Sequence, residues 1–290
     1  MESADILCQA CQRSQDGSMK FLWQFADGKT VESIYFFFQG HSYTCISCQV
    51  GCNVRCPFCE TGKQLNLRNL SADEIYAQVA LIHEPIREMG GPEQLYQVAF
   101  AGMGEPLLNF EAVVEASARL RDARLTQTVS LSTSGVVPRM YELAQTTATS
   151  VNKLFISLHA TTNEVRDRLV PMNKKYPLPA VLDAAAHFFG QSGEKVTATY
   201  LLFEHINDTQ ADLARLISLL DPAIYIVQLS EWNTILDRNF VRSPHLNHFH
   251  KTLQQAGYEV FIQRSKGQDV QGGCGQLRSQ TLPVLPGKER

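Results

Sequence analysis

The 290-residue sequence has no run of about 18 apolar residues, and Met1 to Met19 shows no basic segment followed by an apolar one. A membrane-spanning helix and a secretory leader are therefore not expected, and a cytoplasmic location is. No internal repeat or low-complexity segment is visible, which argues against solenoids and fibrous arrays. Positive charge is not in excess either: 26 Lys and Arg stand against 29 Asp and Glu, for a net charge of −3. A broad basic face of the kind that counterion release rewards is thus not expected. The local basic candidates are Lys63 with Arg68, Lys174 with Lys175, and Arg264 with Lys266, and such groups are ordinarily solvated surface.

The composition is 44% hydrophobic and 19% charged, which suits a folded chain with one large α/β domain. From Val98 onward, short β-branched runs alternate with helical periodicity, the pattern of repeated βα units around a parallel sheet. Strands are predicted over Val98 to Ala101, Thr128 to Ser132, Lys153 to Leu158, Val196 to Leu202 and Ile224 to Leu229, with an earlier one over Tyr43 to Val50. Phe21 to Phe25 and Glu32 to Gln39 read as a hairpin turned at Asp27–Gly28, outside the barrel proper. Helices are predicted over Ser71 to Arg87, Phe110 to Ala123, Pro138 to Gln145, Asn163 to Leu169, Pro179 to Phe189, Thr209 to Leu220 and His245 to Ala256. In the first of these Ser71 and Glu74 form a capping box, Ile75, Val79, Ile82 and Ile86 share a face, and Pro85 is expected to kink the last turn. The alternation fits an open doubly wound sheet or a complete or partial barrel. The polar first 20 residues and the tail after Leu277 are expected to be loosely held.

Five of the eight cysteines fall between Cys45 and Cys59, which suits a metal cage in a reducing compartment better than a disulfide framework. Cys52, Cys56 and Cys59 form a Cys-x3-Cys-x2-Cys loop able to wrap one corner of an iron–sulfur cubane. Three thiolates for four irons leave one iron open to chelate the amino and carboxylate groups of S-adenosylmethionine. A zinc site is the alternative, with Cys48 or His41 as the fourth ligand it would need.

The spacing, with Phe58 before the third cysteine, resembles the radical S-adenosylmethionine superfamily. Further co-linear motifs resemble one group within it, the RNA adenine methyltransferases comprising the RlmN enzymes and their Cfr relatives. They are Cys45-x2-Cys48-Gln49-Val50-Gly51-Cys52, Gly102-Met103-Gly104-Glu105-Pro106-Leu107-Leu108-Asn109, Leu131 to Val136, Ser157-Leu158-His159-Ala160, Asn173-Lys174-Lys175-Tyr176 and Cys274-Gly275-Gln276-Leu277. The match runs from Glu32 to Leu277 and implies a partial (βα)6 barrel, here with a short N-terminal hairpin extension. On that basis residues 1–40 are an extension, 41–277 the barrel with its late cysteine loop, and 278–290 a tail.

The resemblance also implies roles. Cys52, Cys56 and Cys59 would hold a 4Fe-4S cluster. Gly104 and Glu105 would meet the methionine amino group, and Ser132, Ser157, Leu158, His159 and Asn233 would contact the rest of S-adenosylmethionine. These residues end predicted strands, where βα barrels build their sites. Gly102 and Gly104 would free the backbone to approach the ligand. Cys274 would be methylated by one S-adenosylmethionine, and a radical from a second would abstract hydrogen from that methyl. The methylene radical would add to C2 of an adenine, or C8 in the Cfr manner. Glu32, thirteen positions before Cys45, would remove the ring proton, and Cys45 would attack the sulfur of Cys274, leaving a disulfide. The implied partners are rRNA or tRNA and an electron donor such as flavodoxin or ferredoxin, with no membrane and a monomer as default.

The chain departs from that pattern in places. Only 31 residues precede Glu32, where the family carries a helical RNA-gripping domain, and Leu229-Ser230-Glu231-Trp232-Asn233 runs into Thr234-Ile235-Leu236 instead of a proline-rich loop. Cys8-x2-Cys11 and Cys48 are additional. Two other functions therefore stand beside RNA methylation: radical chemistry on a non-RNA substrate, and a non-catalytic iron or redox sensor.

Overall fold

The structure is a computed structural model that describes residues 6–64, 68–146, 150–232, 240–264, 267–270, 273 and 275–281. Ten strands form one sheet in which each neighbours its successor in sequence. They are β1 (Ile6–Arg13), β2 (Met19–Phe25), β3 (Thr30–Phe38), β4 (His41–Cys45), β5 (Leu95–Phe100), β6 (Thr126–Thr133), β7 (Lys153–Ser157), β8 (Val196–Leu201), β9 (Tyr225–Ser230) and β10 (Val260–Gln263). The first four pair antiparallel and β4 to β10 pair parallel. The helices are α1 (Glu60–Lys63), α2 (Ala72–Glu88), α3 (Phe110–Asp122), α4 (Val137–Ala144), α5 (Asn163–Leu169), α6 (Leu178–Ser192), α7 (Gln210–Leu219), α8 (Leu246–Gln255) and α9 (Gln276–Thr281). The chain has the α/β architecture expected, a parallel sheet whose strands alternate with helices, with antiparallel strands at the N-terminal end.

The expected hairpin is present as β2 and β3, and it continues the sheet because β3 pairs antiparallel with β4 from Ile34↔Cys45 to Phe38↔His41. Three expectations are corrected. The N-terminus is not loose from Ile6 onward: β1 pairs with β2 along its length, around one bulge between Cys8 and Ala10. The strand predicted over Tyr43 to Val50 ends at Cys45, since Cys48 N–H and Gln49 N–H turn to donate to Met103 O after β5. A seventh parallel strand, β10, follows the six expected. Its four residues, all half-buried, are too few to show a period.

The two faces of the sheet differ. Val98, Phe100, Val129, Leu131, Leu154, Ile156, Ala198, Tyr200, Val227 and Leu229 are buried in the main core with the helices. Each buried Val, Leu, Ile or Phe among them contributes about 1.5–3 kcal/mol by leaving water. Of the residues alternating with them, Ala99, Ser132, Phe155, Ser157 and Gln228 are half-buried, while Gln97, Ser130 and Thr197 are buried polar groups. Period-two alternation thus divides one packed face from one accessible face. In α2 the Ser71–Glu74 capping box is present, and Ile75, Val79, Ile82 and Ile86 lie in the core. The helix continues past Pro85 to Glu88.

Candidate active site

Cys52, Cys56 and Cys59 occupy a loop between β4 and α1 whose walls are apolar. Val54, Leu169, Val170, Phe203 and Trp232 form a separate buried cluster against which Cys52, Cys56, Phe58 and Phe240 pack. Trp232 Nε1 donates to Phe58 O at 2.9 Å, fixing the loop immediately before Cys59. The Phe58 ring lies 5.5 Å from that of Phe203 and meets the His159 ring edge-on at 5.2 Å. Burial pushes all three thiols up, Cys52 to about 12, so a neighbouring cation is needed to hold them as thiolates. Backbone N–H groups of Val54 and Arg55 serve Cys52, and those of Thr61 and Gly62 serve Cys59. The buried Thr61 hydroxyl, otherwise unpartnered, is left to the Cys59 sulfur. A dry wall and sulfur-directed donors fit an iron–sulfur cluster. Among the described residues no three His, Cys, Asp or Glu side chains gather as a single ion would require. A cubane makes no such demand, since each thiolate binds a different iron.

Beside this loop, Glu105 is buried and its carboxylate is fully engaged. Oε1 accepts from Thr133 Oγ1 at 2.6 Å and Leu107 N at 3.2 Å, and Oε2 accepts from Ser134 N and Ser134 Oγ at 2.7 Å each. Burial raises its pKa against the pull of these donors. Gly104 has a reason other than ligand approach: at φ +108°, a Cβ there would lie 2.7 Å from Gln49 Cβ and 2.9 Å from Cys48 Sγ. Its bare backbone lets the Cys48–Gln49 segment close over the end of β5, where Gln49 Oε1 accepts from Glu105 N.

Arg166 of α5 is completely buried and donates to Leu158 O, Ser157 O, Ser134 O and Asn173 Oδ1 at 2.7 to 3.1 Å. It ties the ends of β6 and β7 together and places a fixed positive charge near Cys56 and Glu105. Burial lowers its pKa to about 10, which leaves it charged at neutral pH. His159 follows β7 in a left-handed conformation, φ 53°, a costly state for this residue type. Its carbonyl accepts from Asn207 Nδ2 at 2.7 Å, and Nδ1 accepts from Leu201 N at 3.1 Å. Burial, with Arg166 nearby, lowers its pKa to about 3. The imidazole is therefore neutral, with its proton on Nε2. Ser132 and Ser157 are half-buried on the accessible face of the sheet, and Leu158 is buried.

A third group lies around Cys45, which ends β4 and lines a small recess of about 10 Å³ with Lys20, Glu32, Ser33, Ile34, Gly102 and Met103. Glu32 is buried. Its Oε2 meets Lys20 Nζ at 2.6 Å and accepts from Gly275 N at 2.9 Å, while Oε1 accepts from Arg278 N at 2.5 Å. Residues 243 positions apart in sequence are thus joined at one carboxylate. Cys274 and Asn233 lie outside the described residues.

Arg166, Thr133, Ser134, Asn207 and Lys20 were not legible as site residues. Arg166 did leave a trace, since it falls three positions before buried Leu169 on α5, where helical period calls for an apolar residue. Cys48 is buried, with Sγ 3.6 Å from Met103 O. Cys8 and Cys11 stand exposed on β1. Arg68 is not a free basic patch, because it pairs with Asp27 at 2.6 Å and Glu74 at 2.8 Å.

Comparison with known proteins agrees with this geometry. Residues 46–217 match the radical SAM superfamily. The chain is 37% identical over 282 residues to the dual-specificity RNA methyltransferase RlmN of Rhodospirillum rubrum, covering 93% of this chain and 65% of that protein. It is also 37% identical to a probable RlmN of Thermotoga petrophila, covering 91% of this chain and 76% of that one. The crystal structure of a radical SAM methyltransferase from Sphaerobacter thermophilus superposes with a TM-score of 0.87 at 33% identity, over 95% of this chain and 82% of its own.

Proposed function

The chain belongs to the radical SAM superfamily and, within it, to the RlmN family, and from that premise we propose that it methylates a ring carbon of adenine, C2 in preference to C8, in rRNA or tRNA. Members of the superfamily use a 4Fe-4S cluster and S-adenosylmethionine, which supply one-electron cleavage of the sulfonium and a carbon radical able to take hydrogen from a methyl group. Cys52, Cys56 and Cys59 hold the cluster within the apolar wall of Phe58, Phe203 and Trp232, which excludes water. Neutral His159 offers Nε2–H as a donor toward S-adenosylmethionine. Glu105 offers its carboxylate to the methionine ammonium, exchanging a hydroxyl donor of Thr133 or Ser134 for it. Gly104, Ser132, Ser157, Leu158 and Asn233 complete the cofactor contacts.

Cys274 carries the methyl group in this reading. After its methylene has joined the ring, the adduct gives up one electron to a one-electron acceptor, for which the cluster would serve, and its ring proton to Glu32. The Cys45 thiolate then attacks the Cys274 sulfur, so that the sulfur–carbon bond breaks, a disulfide forms and the freed carbon takes a proton to become the methyl of the base. The observation that supports it best is the recess. Cys45 and Glu32 line it together, and Glu32 binds the backbone at Gly275, next to Cys274. The disulfide left on Cys45 and Cys274 requires reduction by thiols before the next cycle, and a flavodoxin or ferredoxin supplies the electron. The test incubates anaerobically reconstituted protein with total RNA and methyl-labelled S-adenosylmethionine, then digests to nucleosides. Labelled 2-methyladenosine is expected, together with a methyl group on Cys274 by mass spectrometry. Label at 8-methyladenosine would move the enzyme to the Cfr type, and unlabelled RNA would remove the reading.

A further inference from the structure

We propose that Lys20, a residue with no role so far, is a positioning residue that latches the chain on both sides of Cys274 to the carboxylate of Glu32. The reaction it serves rests on the function proposed above; the latch itself rests on the geometry alone. Lys20 is 2% exposed, and its Nζ lies 2.6 Å from Glu32 Oε2 and 3.2 Å from Gly273 O. A lysine ammonium has three donors and almost never goes into a protein interior without partners for them. Two of those donors are accounted for here, and each points to the same purpose. One holds the carboxylate that accepts from Gly275 and Arg278, and the other holds the carbonyl of Gly273.

The socket is completed from the cluster side. Gln64, which follows α1, donates from Nε2 to Gly275 O at 3.1 Å, and its Oε1 accepts from Arg278 Nη1. Arg278 Nε donates to Thr30 Oγ1 at 3.1 Å. Gly275, at φ +81°, passes so close to α1 that a Cβ would lie 2.7 Å from Thr61 Oγ1 and 2.9 Å from Thr61 N. A residue other than glycine could not dock there. The late segment is therefore seated between the strands that carry Lys20 and Glu32 and the helix that begins after Cys59.

A buried ion pair by itself is weak ground for stability, because desolvation offsets most of the attraction unless further hydrogen bonds satisfy both partners. Here, among the described residues, further bonds to the pair come from residues 273, 275 and 278. Docking of this segment thus completes the pair, and the pair is one of the ties, beside Gln64 and Thr30, that hold the segment. Lys20 thus orients two groups the reaction needs: the carboxylate proposed to take the ring proton, and the backbone flanking the methyl-bearing cysteine.

The test compares wild type with Lys20→Arg, Lys20→Met and the double variant Lys20→Met/Glu32→Gln, all cluster-reconstituted. The double variant covers the case in which Lys20→Met alone leaves a buried charge and fails to fold. Hydrogen exchange at the Gly275 and Arg278 amides should accelerate about tenfold in Lys20→Met, the loss expected for one charge-assisted hydrogen bond, with Lys20→Arg close to wild type. Exchange that is unchanged, or raised equally across the sheet, would overturn the latch. In turnover, kcat should fall about ten- to a hundredfold, the scale of a small misplacement of reacting groups, with KM for RNA within about twofold. An unchanged kcat, or a rise in KM alone, would overturn the positioning role. If wild type itself methylates no RNA, the proposed function fails, and the exchange measurement still decides the latch.

Discussion

Around Cys52, Cys56 and Cys59 the neighbours are Val54, Phe58, Phe203, Trp232 and Phe240, whereas Cys45 shares its recess with the charged pair Lys20 and Glu32 and with Ser33, beside Ile34, Gly102 and Met103. The first group excludes water and supplies backbone N–H donors to sulfur. The second buries a full ion pair and spends it on holding another part of the chain. Cluster ligands need a low dielectric and a rigid cage, so a local loop sealed by aromatic rings suffices. In the proposed reaction a cysteine that is methylated, attacked and regenerated needs a mount that can be re-formed, and hydrogen bonds provide that better than packing. Arg166 belongs to the side of the first region, within electrostatic reach of Cys56 and Glu105 while bonded to the ends of β6 and β7.

The comparison can be broken in four further ways. Cys56→Ala should abolish iron binding at the apolar pole, reducing cluster absorbance and 5′-deoxyadenosine formation to background, and leave the Gly275 and Arg278 amides as protected as in wild type. Arg166→Met should cost about 3–5 kcal/mol in denaturant unfolding, because four buried acceptors lose a charged donor at once. His159 gives a pH signature. Its folded pKa of about 3 lies below the unfolded value of 6.5, so below pH 6.5 the unfolded state binds the proton first. Its contribution is fully present above that pH and should fall by about 1.4 kcal/mol per unit as acid is added, a slope that His159→Gln should remove. Trp232→Phe should have the smallest effect, about 1 kcal/mol, since the ring stays in the apolar wall and only the bond to Phe58 O is lost.

How far the site could be read in advance follows the same division. The cluster loop was legible because its three cysteines lie within eight consecutive residues, and the polar strand ends because periodicity locates strands. Glu32 was legible only by resemblance, and its ties to Lys20, Gly275 and Arg278 were not, since nothing local in Met19–Phe25 marks one lysine as buried. Gly104 was legible as a special position, but the second reason for a bare backbone there, room for Cys48 and Gln49, was not. The course of β1 was missed because its mostly exposed residues show no clean alternation across the bulge.

By itself the sequence determined the alternation of strands and helices, the capping of α2, and the Cys-x3-Cys-x2-Cys loop, because each is written in residues a few positions apart. Only the tertiary structure decided which buried charges share a partner, that one carboxylate joins β2, β3 and the segment after Gly273, and that Arg166 binds two strand ends. Pairings across 243 residues depend on how the whole sheet closes, and no local propensity encodes that.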